Sequence, residues 1–177
     1  MSSQKQSSDG ATASLQRICA ALVVTSQPLT RAQLREIAGD VDENALNVIL
    51  ADAAQRLEAL GLLLVQDEAG VMIGLTQSIR KDLARYFAAH APALSAAAME
   101  VLTVVAYNQP VSKQKIDEIR GVASDASIKT LLTRGLIRAD RAKAAEPVYI
   151  TTPQFLALVG LRTLADLPKA VGVKRAT

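Results

Sequence analysis

The chain has 177 residues and a net charge of +3; half of its residues are hydrophobic, 3% are aromatic and none is tryptophan. Ala, Leu and Val supply most of the apolar mass, which favours packed helices over a β-sandwich. Apolar runs such as 60–65 are too short to cross a bilayer, so no membrane contact is expected. The single cysteine, Cys19, excludes an intramolecular disulfide and indicates a cytoplasmic protein.

The charge is divided unevenly along the chain. Residues 1–92 hold 8 Lys and Arg against 10 Asp and Glu, whereas residues 93–177 hold 12 against 7. The two balances are therefore −2 and +5. This asymmetry predicts different partners for the two halves, although it is too mild to indicate nucleic-acid binding.

The N-terminal part of the chain predicts a tail followed by an amphipathic helix. Residues 1–13 are Ser-rich and polar, which is typical of a flexible tail and unlike a signal peptide. Apolar residues then recur at helical spacing. They are Leu15, Ile18, Cys19, Leu22 and Val23. Residues 42–60 predict a longer helix, and two β-like runs follow it at 63–66 and 71–76.

A second short helix is predicted from an internal repeat. Residues 27–39 and 109–121 share Gln, Pro, Glu, Ile and Gly at the same positions, 82 residues apart. Each copy has the capping residues of a helix, with a side-chain N-cap at its start and a glycine at its end. The expected caps and stops are Thr30 with Gln33, Ser112, Gly39 and Gly121.

The second half repeats the order of the first. Ser95 is the expected N-cap of an apolar helix, and residues 124–134 predict a shorter one. Two β-like runs follow at 136–138 and 148–151. A final helix starts at Thr152-Pro153, and its apolar residues are expected to cover the core before Pro168 stops it.

Three helices followed by a β-hairpin, twice over, is the order of a winged helix-turn-helix. We therefore predict a mainly α fold with small β-wings (α+β), built as two tandem winged-helix domains. The predicted boundaries are a flexible tail at 1–13, an N-terminal winged helix at 14–87, a linker at 88–92, a C-terminal winged helix at 93–168 and a basic flexible tail at 169–177.

The sequence carries no arrangement typical of catalysis. The single histidine, His90, lies in an Ala- and Pro-rich linker, and Cys19 falls on the apolar stripe of the first helix, so neither has a catalytic partner in view. One Cys and one His cannot supply the three or four ligands of a zinc site. Because no glycine-rich nucleotide motif is present either, we expect no enzyme, no cofactor and no metal.

The charges on the predicted third helices favour protein contact over DNA contact. Helix 42–60 carries the single cation Arg56 against four acidic residues, so a duplex would repel it. Helix 124–134 carries Lys129 and Arg134 against one acidic residue, which is as typical of a solvated face as of a DNA site. A winged-helix transcriptional regulator therefore stays the alternative function, and any DNA contact is expected to be weak and non-specific.

Residues 94–168 contain a series of short segments that together resemble a known family. They are Leu94-Ser95, Glu100-Val101-Leu102, Ala106-Tyr107-Asn108-Gln109-Pro110-Val111, Ile119-Arg120-Gly121-Val122, Leu132-Thr133-Arg134-Gly135-Leu136-Ile137, Tyr149-Ile150-Thr151-Thr152, Phe155-Leu156 and Leu164-Ala165-Asp166-Leu167-Pro168. In this order and spacing they resemble segregation and condensation protein B (ScpB), the winged-helix partner of the bacterial SMC–kleisin complex. The likeness continues more weakly at Gln27-Pro28-Leu29-Thr30.

The resemblance implies a homodimer that associates through its N-terminal units and binds the central part of the kleisin ScpA largely through its C-terminal units. It implies a nucleoid-associated complex that condenses and segregates the chromosome, in which only the SMC ATPase hydrolyses ATP. The chain departs from the family at Ala145-Glu146-Pro147, where Gly-Arg-Pro is usual, and at Val159-Gly160-Leu161, where Phe-Gly-Leu is usual. The first departure reverses a charge beside the wing.

Three candidate partner-binding residues lie on or beside helices. Tyr107 follows an apolar helix, and it could either contact a partner or cover the core. Arg120 leads into a turn, where an arginine is rarely needed for folding and suits bidentate recognition. Arg134 ends the third helix of the second unit.

The other two candidates lie on the predicted wing strand, 148–151. Alternation along a strand places Val148 and Ile150 on one face and Tyr149 and Thr151 on the other. We expect the first pair to face the core, which leaves Tyr149 and Thr151 available to a partner.

Overall fold

The computed structural model describes residues 2–86, 93–140 and 146–168. It is mainly helical with small antiparallel sheets, which confirms the α+β prediction. The predicted linker at 88–92, with His90, and the predicted C-terminal tail at 169–177 lie outside the described residues. In the described part, no helix is both long and apolar enough to span a membrane.

Helices and a hairpin build the part of the first unit that the structure describes. Its elements are α1 (Ser2–Val24), α2 (Arg31–Ala38), α3 (Glu43–Ala59), β1 (Leu62–Asp67), β2 (Gly70–Leu75) and α4 (Gln77–Asp82). The strands β1 and β2 are antiparallel, with Leu62 opposite Leu75 and Asp67 opposite Gly70. The helices and strands predicted at 42–60, 63–66 and 71–76 are confirmed, whereas α4 had no predicted counterpart.

The second unit repeats this order around a three-stranded sheet. Its elements are α5 (Ala96–Asn108), β3 (Val111–Ser112), α6 (Lys113–Arg120), α7 (Asp125–Thr133), β4 (Ile137–Asp140), β5 (Val148–Thr151) and α8 (Pro153–Val159), and a short 3-10 helix follows (Leu164–Asp166). The strand order is β3–β5–β4, with antiparallel neighbours.

The helix ends predicted from the repeat are confirmed. Thr30 and Gln33 form a reciprocal capping box: the Gln33 amide donates to Thr30 Oγ1 at 3.3 Å, and the Thr30 amide donates to Gln33 Oε1 at 2.9 Å. Ser112 accepts from the Lys115 amide in the same way. Gly39 and Gly121 both adopt the left-handed conformation, with φ of 99° and 72°.

The N-terminal tail is one difference between prediction and structure. Helix α1 begins at Ser2, so residues 2–13 are helical, whereas the sequence predicted a flexible tail over 1–13. The segment contains no proline, and extending an existing helix fixes only one further residue per hydrogen bond. The helix is held from Ser14 onward, where the Ser14 hydroxyl donates to the carbonyl of Ala38 in α2.

The β1–β2 hairpin lies between two hydrophobic cores because its two faces alternate. Leu64, Val71 and Ile73 pack with the first core, which is built mainly by α1, α2 and α3. Leu63 and Val65, which are 4% and 0% exposed, belong to the second core together with residues of α5, α6, α7 and α8. The two units are therefore joined through the hairpin.

Helix α8 of the second unit packs directly on the hairpin. A Cβ atom added to Gly74 would lie 2.9 Å from Ala157 Cα and 3.0 Å from its Cβ, so the backbones approach as closely as a glycine allows. The Arg80 guanidinium in α4 donates to the Ala157 carbonyl, and Arg162 pairs with Glu58 at 2.5 Å. These contacts fix α8 against the first unit.

Candidate partner-binding groove

A groove of about 920 Å³ runs between α5 and α8. Its walls are apolar side chains of these two helices, some of them buried core residues and some partly exposed. They are Met99, Leu102 and Ala106 on α5 and Phe155, Leu158 and Val159 on α8. Met99 and Leu158 are 49% and 40% exposed, so part of the groove wall faces solvent. Exposed apolar surface in a concave site is typical of a binding surface.

Helix α5 can supply this wall because it is apolar on more than one side. Val101 and Val105 are fully buried in the second core, while Met99, two residues before Val101 and on another side of the helix, is half exposed. Ser95 caps the helix by accepting from the Ala98 amide at 3.2 Å, as predicted. Helix α5 therefore has two apolar faces: Val101 and Val105 face the core, and Met99 faces the groove.

Two arginines line the same groove, one from each unit. Arg80 comes from α4 of the first unit, and Arg134 from the end of α7 in the second. Arg80 Nε is buried and donates no hydrogen bond to the described residues. Burial also lowers the pKa of the Arg80 guanidinium below its ordinary value, because the charged form is desolvated. The described residues that line the groove include no Asp or Glu.

Tyr107 lies at one end of the groove. Its hydroxyl donates to the Pro168 carbonyl at 2.8 Å, and its side chain is half-buried. The ring therefore links α5 to the last described residue of the second unit. Of the five predicted partner-binding residues, Tyr107 and Arg134 line this groove, and the other three do not.

Arg120 lies elsewhere and is engaged within the chain. Its guanidinium donates to Ser124 Oγ at 2.9 Å and pairs with Glu100 at 3.0 Å, and only 8% of its side chain is exposed. Ser124 is itself buried. Arg120 therefore connects the turn between α6 and α7 to α5, and its role in partner binding stays a prediction.

The predicted faces of the wing strand are wrong. Thr151 is 5% exposed, and both its amide and its hydroxyl donate to Gln109 Oε1, at 2.7 and 3.0 Å. Tyr149 packs against the second core, whereas Val148 is half-buried and lines a separate surface pocket. Alternation along β5 holds, but the two faces are inverted: Tyr149 and Thr151 are on the side of the core, and Val148 and Ile150 are on the other side. Thr151 is thus part of the fold, and Tyr149 is mainly so.

Comparison with known proteins identifies the family of this chain. The model of the segregation and condensation complex subunit ScpB family matches residues 16–170. The chain belongs to the ScpB family. The ScpB relatives include segregation and condensation protein B of Symbiobacterium thermophilum, 34% identical over 84% of this chain and 70% of that protein. The protein of the same name from Bacillus subtilis is 35% identical over 79% of this chain and 73% of that protein.

A solved ScpB structure, from Mycobacterium tuberculosis, is also similar to this chain. The two are 29% identical, and the superposition covers 85% of this chain and 97% of that chain with a TM-score of 0.40.

The described residues of this ScpB family member offer little for chemistry. They contain no group of three or more His, Cys, Asp or Glu placed to hold a metal ion. Cys19 is half-buried, and burial raises the pKa of its thiol, the nearby Arg56 partly opposing this rise. A thiol in this setting is a poor nucleophile.

No sequence pattern indicated two residues of the groove in this ScpB chain. Arg80 lies on α4, a six-residue helix with no strong periodicity, and its contact with Ala157 is 77 residues distant in the chain. The sequence does not predict Leu158 as a groove residue, because the neighbouring apolar residues of α8 match the pattern of a helix that covers the core. Only the packing of α8 on the first unit brings Arg80 and Leu158 to one surface.

Replacing Arg120 by Ala is expected to lower the stability of this ScpB chain by about 1–2 kcal/mol. The variant would leave the buried Ser124 hydroxyl without its arginine partner, and the exposed Glu100 would lose only a weak ion pair. Urea denaturation followed by circular dichroism measures the change, with the exposed Lys129→Ala as the control. Equal stability of the two variants would contradict a structural role for Arg120.

Proposed function

We propose that this chain is a non-catalytic, dimeric adaptor of the SMC–ScpA–ScpB complex, which acts in chromosome condensation and segregation. In this proposal it binds the central region of the kleisin ScpA, and ATP hydrolysis belongs to the SMC subunit. Membership of the ScpB family supports the complex, and the apolar groove between α5 and α8 supports the kleisin contact.

The two units are, in this proposal, tandem winged helices. Each has three helices followed by an antiparallel hairpin, in the same chain order. The repeat at 27–39 and 109–121 gives the second helix of each unit equivalent capping residues. The first unit would then correspond to 14–87 and the second to 93–168.

The kleisin would enter the groove as an amphipathic helix. An α-helix with its side chains is about 10–12 Å across, and its anchors recur every three or four residues along one face. The groove offers matching apolar walls on two helices, and Met99 and Leu158 are accessible to such anchors. Burial of the anchors would supply most of the binding free energy.

Self-association would use the outer face of α3 in the first unit. Val48 and Leu60, which are 70% and 74% exposed, lie at or beside this helix. Val23 and Val24 at the end of α1 are exposed as well. Large exposed apolar residues on one unit are typical of an interface between copies, and a two-fold axis would bury the same face on both.

The structure favours this role over DNA recognition by the first unit. Arg56, the single cation of α3, is held by Asp52 in a bidentate pair at 2.8 and 3.1 Å. An arginine occupied in this way must break its pair before it can reach a phosphate. Nothing in the described part favours a transcriptional regulator more specifically.

The proposal is tested by titrating the full chain with the central fragment of the kleisin encoded in the same genome. Calorimetry should give saturable binding, and light scattering of the chain alone should give the mass of a dimer. A random DNA duplex serves as the competing ligand, and its binding should be weak and lost at moderate salt. Absence of kleisin binding together with nanomolar binding to one DNA site would overturn the proposal in favour of a regulator.

A further inference from the structure

The last described residues of the second unit reach the rim of the groove between α5 and α8. Leu167 lines the groove, and the carbonyl of Pro168, the next residue, accepts a hydrogen bond from the Tyr107 hydroxyl at 2.8 Å. Tyr107 lines the groove as well, at one of its ends. Residues 169–177, which lie outside the described residues, therefore continue from a point beside this open apolar surface.

The groove is short enough for these residues to cross it. Its α5 wall runs from Met99 to Tyr107, and this length of helix rises about 12 Å. Residues 169–173 reach about 16 Å when extended, at about 3.3 Å per residue. The segment that follows Pro168 can therefore reach Met99 and Leu158, the partly exposed apolar residues of the two walls.

The sequence of this segment suits an apolar groove. Residues 170–173 read Ala-Val-Gly-Val, and the three cations of the segment flank them. Gly172 and the two β-branched valines disfavour a helix, and in an extended chain Val171 and Val173 fall on the same face. That face can pack on the groove walls while the flanking cations stay in water.

We propose that residues 169–177 bind in the groove of their own chain, with Val171 and Val173 against its apolar walls, and that the partner segment must displace them. The displacement step rests on the proposed function, because it places the kleisin in the same groove. Since the segment is tethered beside the groove, its local concentration is on the order of millimolar, and a few apolar contacts are enough to hold it there. The kleisin then binds only the open fraction of the chains, and its apparent affinity falls in proportion to that fraction.

The charges around the groove make this contact weak and give it a characteristic response to salt. Arg80 and Arg134 line the groove, and the described lining residues include no Asp or Glu, so the cations of the segment meet no acidic partner there. Apolar contact must therefore hold the segment against like charge. Because salt screens that repulsion, we expect added salt to strengthen the contact, whereas an occupant held by ion pairs would be released.

The test uses a single tryptophan as a reporter, since the chain has none of its own. Leu158→Trp places it on the groove wall, and Leu132→Trp is the matched control, because the two leucines are 40% and 39% exposed and Leu132 lies outside the groove. Each reporter is prepared in the full chain with and without the double substitution Val171→Asn and Val173→Asn. With the double substitution, acrylamide should quench the Leu158→Trp fluorescence about threefold more strongly, as expected for a groove that is otherwise open about a third of the time, and the control should not change.

A second arm measures the displacement with unaltered groove walls. In calorimetric titrations with the kleisin central fragment, the chain with Val171→Asn and Val173→Asn should bind about threefold more tightly than the parent chain. Its matched control, Lys174→Gln with Arg175→Gln, alters two residues of the same segment but keeps both valines. This control should bind the fragment no more tightly than the parent.

The outcomes separate the proposal from the function on which it partly rests. Equal quenching of Leu158→Trp with and without the valine substitutions would overturn the proposal, whether or not the kleisin binds. Protection of the reporter that grows with protein concentration would also overturn it, because the segment would then come from another copy. Tighter kleisin binding by the Lys174→Gln, Arg175→Gln chain would trace the effect to charge and would overturn the apolar contact.

A protected reporter in a chain that fails to bind the kleisin fragment would support the contact of residues 169–177 and overturn the proposed function instead. A protected reporter with equal kleisin affinity in all variants would overturn the displacement step.

Discussion

Kleisin affinity is expected to fall at least about a hundredfold when Met99 and Leu158 are both replaced by Ala. The two side chains form opposite, partly exposed walls of the groove, on α5 and α8. Truncating an interface anchor typically costs about 2 kcal/mol or more, which corresponds to roughly thirtyfold in affinity. Two anchors on separate walls should contribute nearly additively. Calorimetry with the kleisin central fragment measures the loss.

The matched control replaces Val122 and Leu132 by Ala in the same chain. These side chains are similarly exposed, at 56% and 39%, and they lie outside the groove. The control should therefore bind the kleisin normally, and both double variants should remain folded because none of the four residues is buried. Equal binding by the two double variants would place the kleisin on another surface.

The Leu63→Ala variant is expected to lose about 2–5 kcal/mol of unfolding free energy. Leu63 is 4% exposed and, although it lies in the hairpin of the first unit, it packs in the core of the second. Truncation of a buried leucine removes its transfer free energy and leaves a cavity. Because both cores share the hairpin, we expect one cooperative urea transition that moves as a whole.

The control is Val122→Ala, which is 56% exposed and lies outside the hairpin, and it should change stability by less than about 0.5 kcal/mol. Circular dichroism follows the helices of both units at once. Two separate transitions, of which Leu63→Ala shifts only one, would show that the units unfold independently and that the hairpin does not couple them.

Local features of this chain were readable from sequence, because their partners are a few residues away. The capping box of Thr30 with Gln33 and the left-handed Gly39 and Gly121 depend only on neighbouring backbone groups. The prediction of small sheets also held, because β-like runs and turn residues lie next to each other in the chain.

The features that were missed depend on partners far along the chain. Arg120 is held by Glu100, 20 residues away, and Thr151 by Gln109, 42 residues away. Neither partner follows from the periodicity of a single helix or strand. The groove is the extreme case, because its walls come from α5 and α8, which are distant in the chain, and the pattern of either helix alone contains no information about their contact.

The close approach of Gly74 to Ala157 has a consequence for how sequences of this family can vary. Position 74 does not tolerate an added carbon while the hairpin and α8 remain in contact, since even a methyl group there would lie 2.9 Å from the backbone of Ala157. A relative that carries a bulky residue at the first position must therefore hold its two halves at a different angle. Substitutions at the two positions should be correlated across the family, and small residues at both would serve as a marker of the joined arrangement.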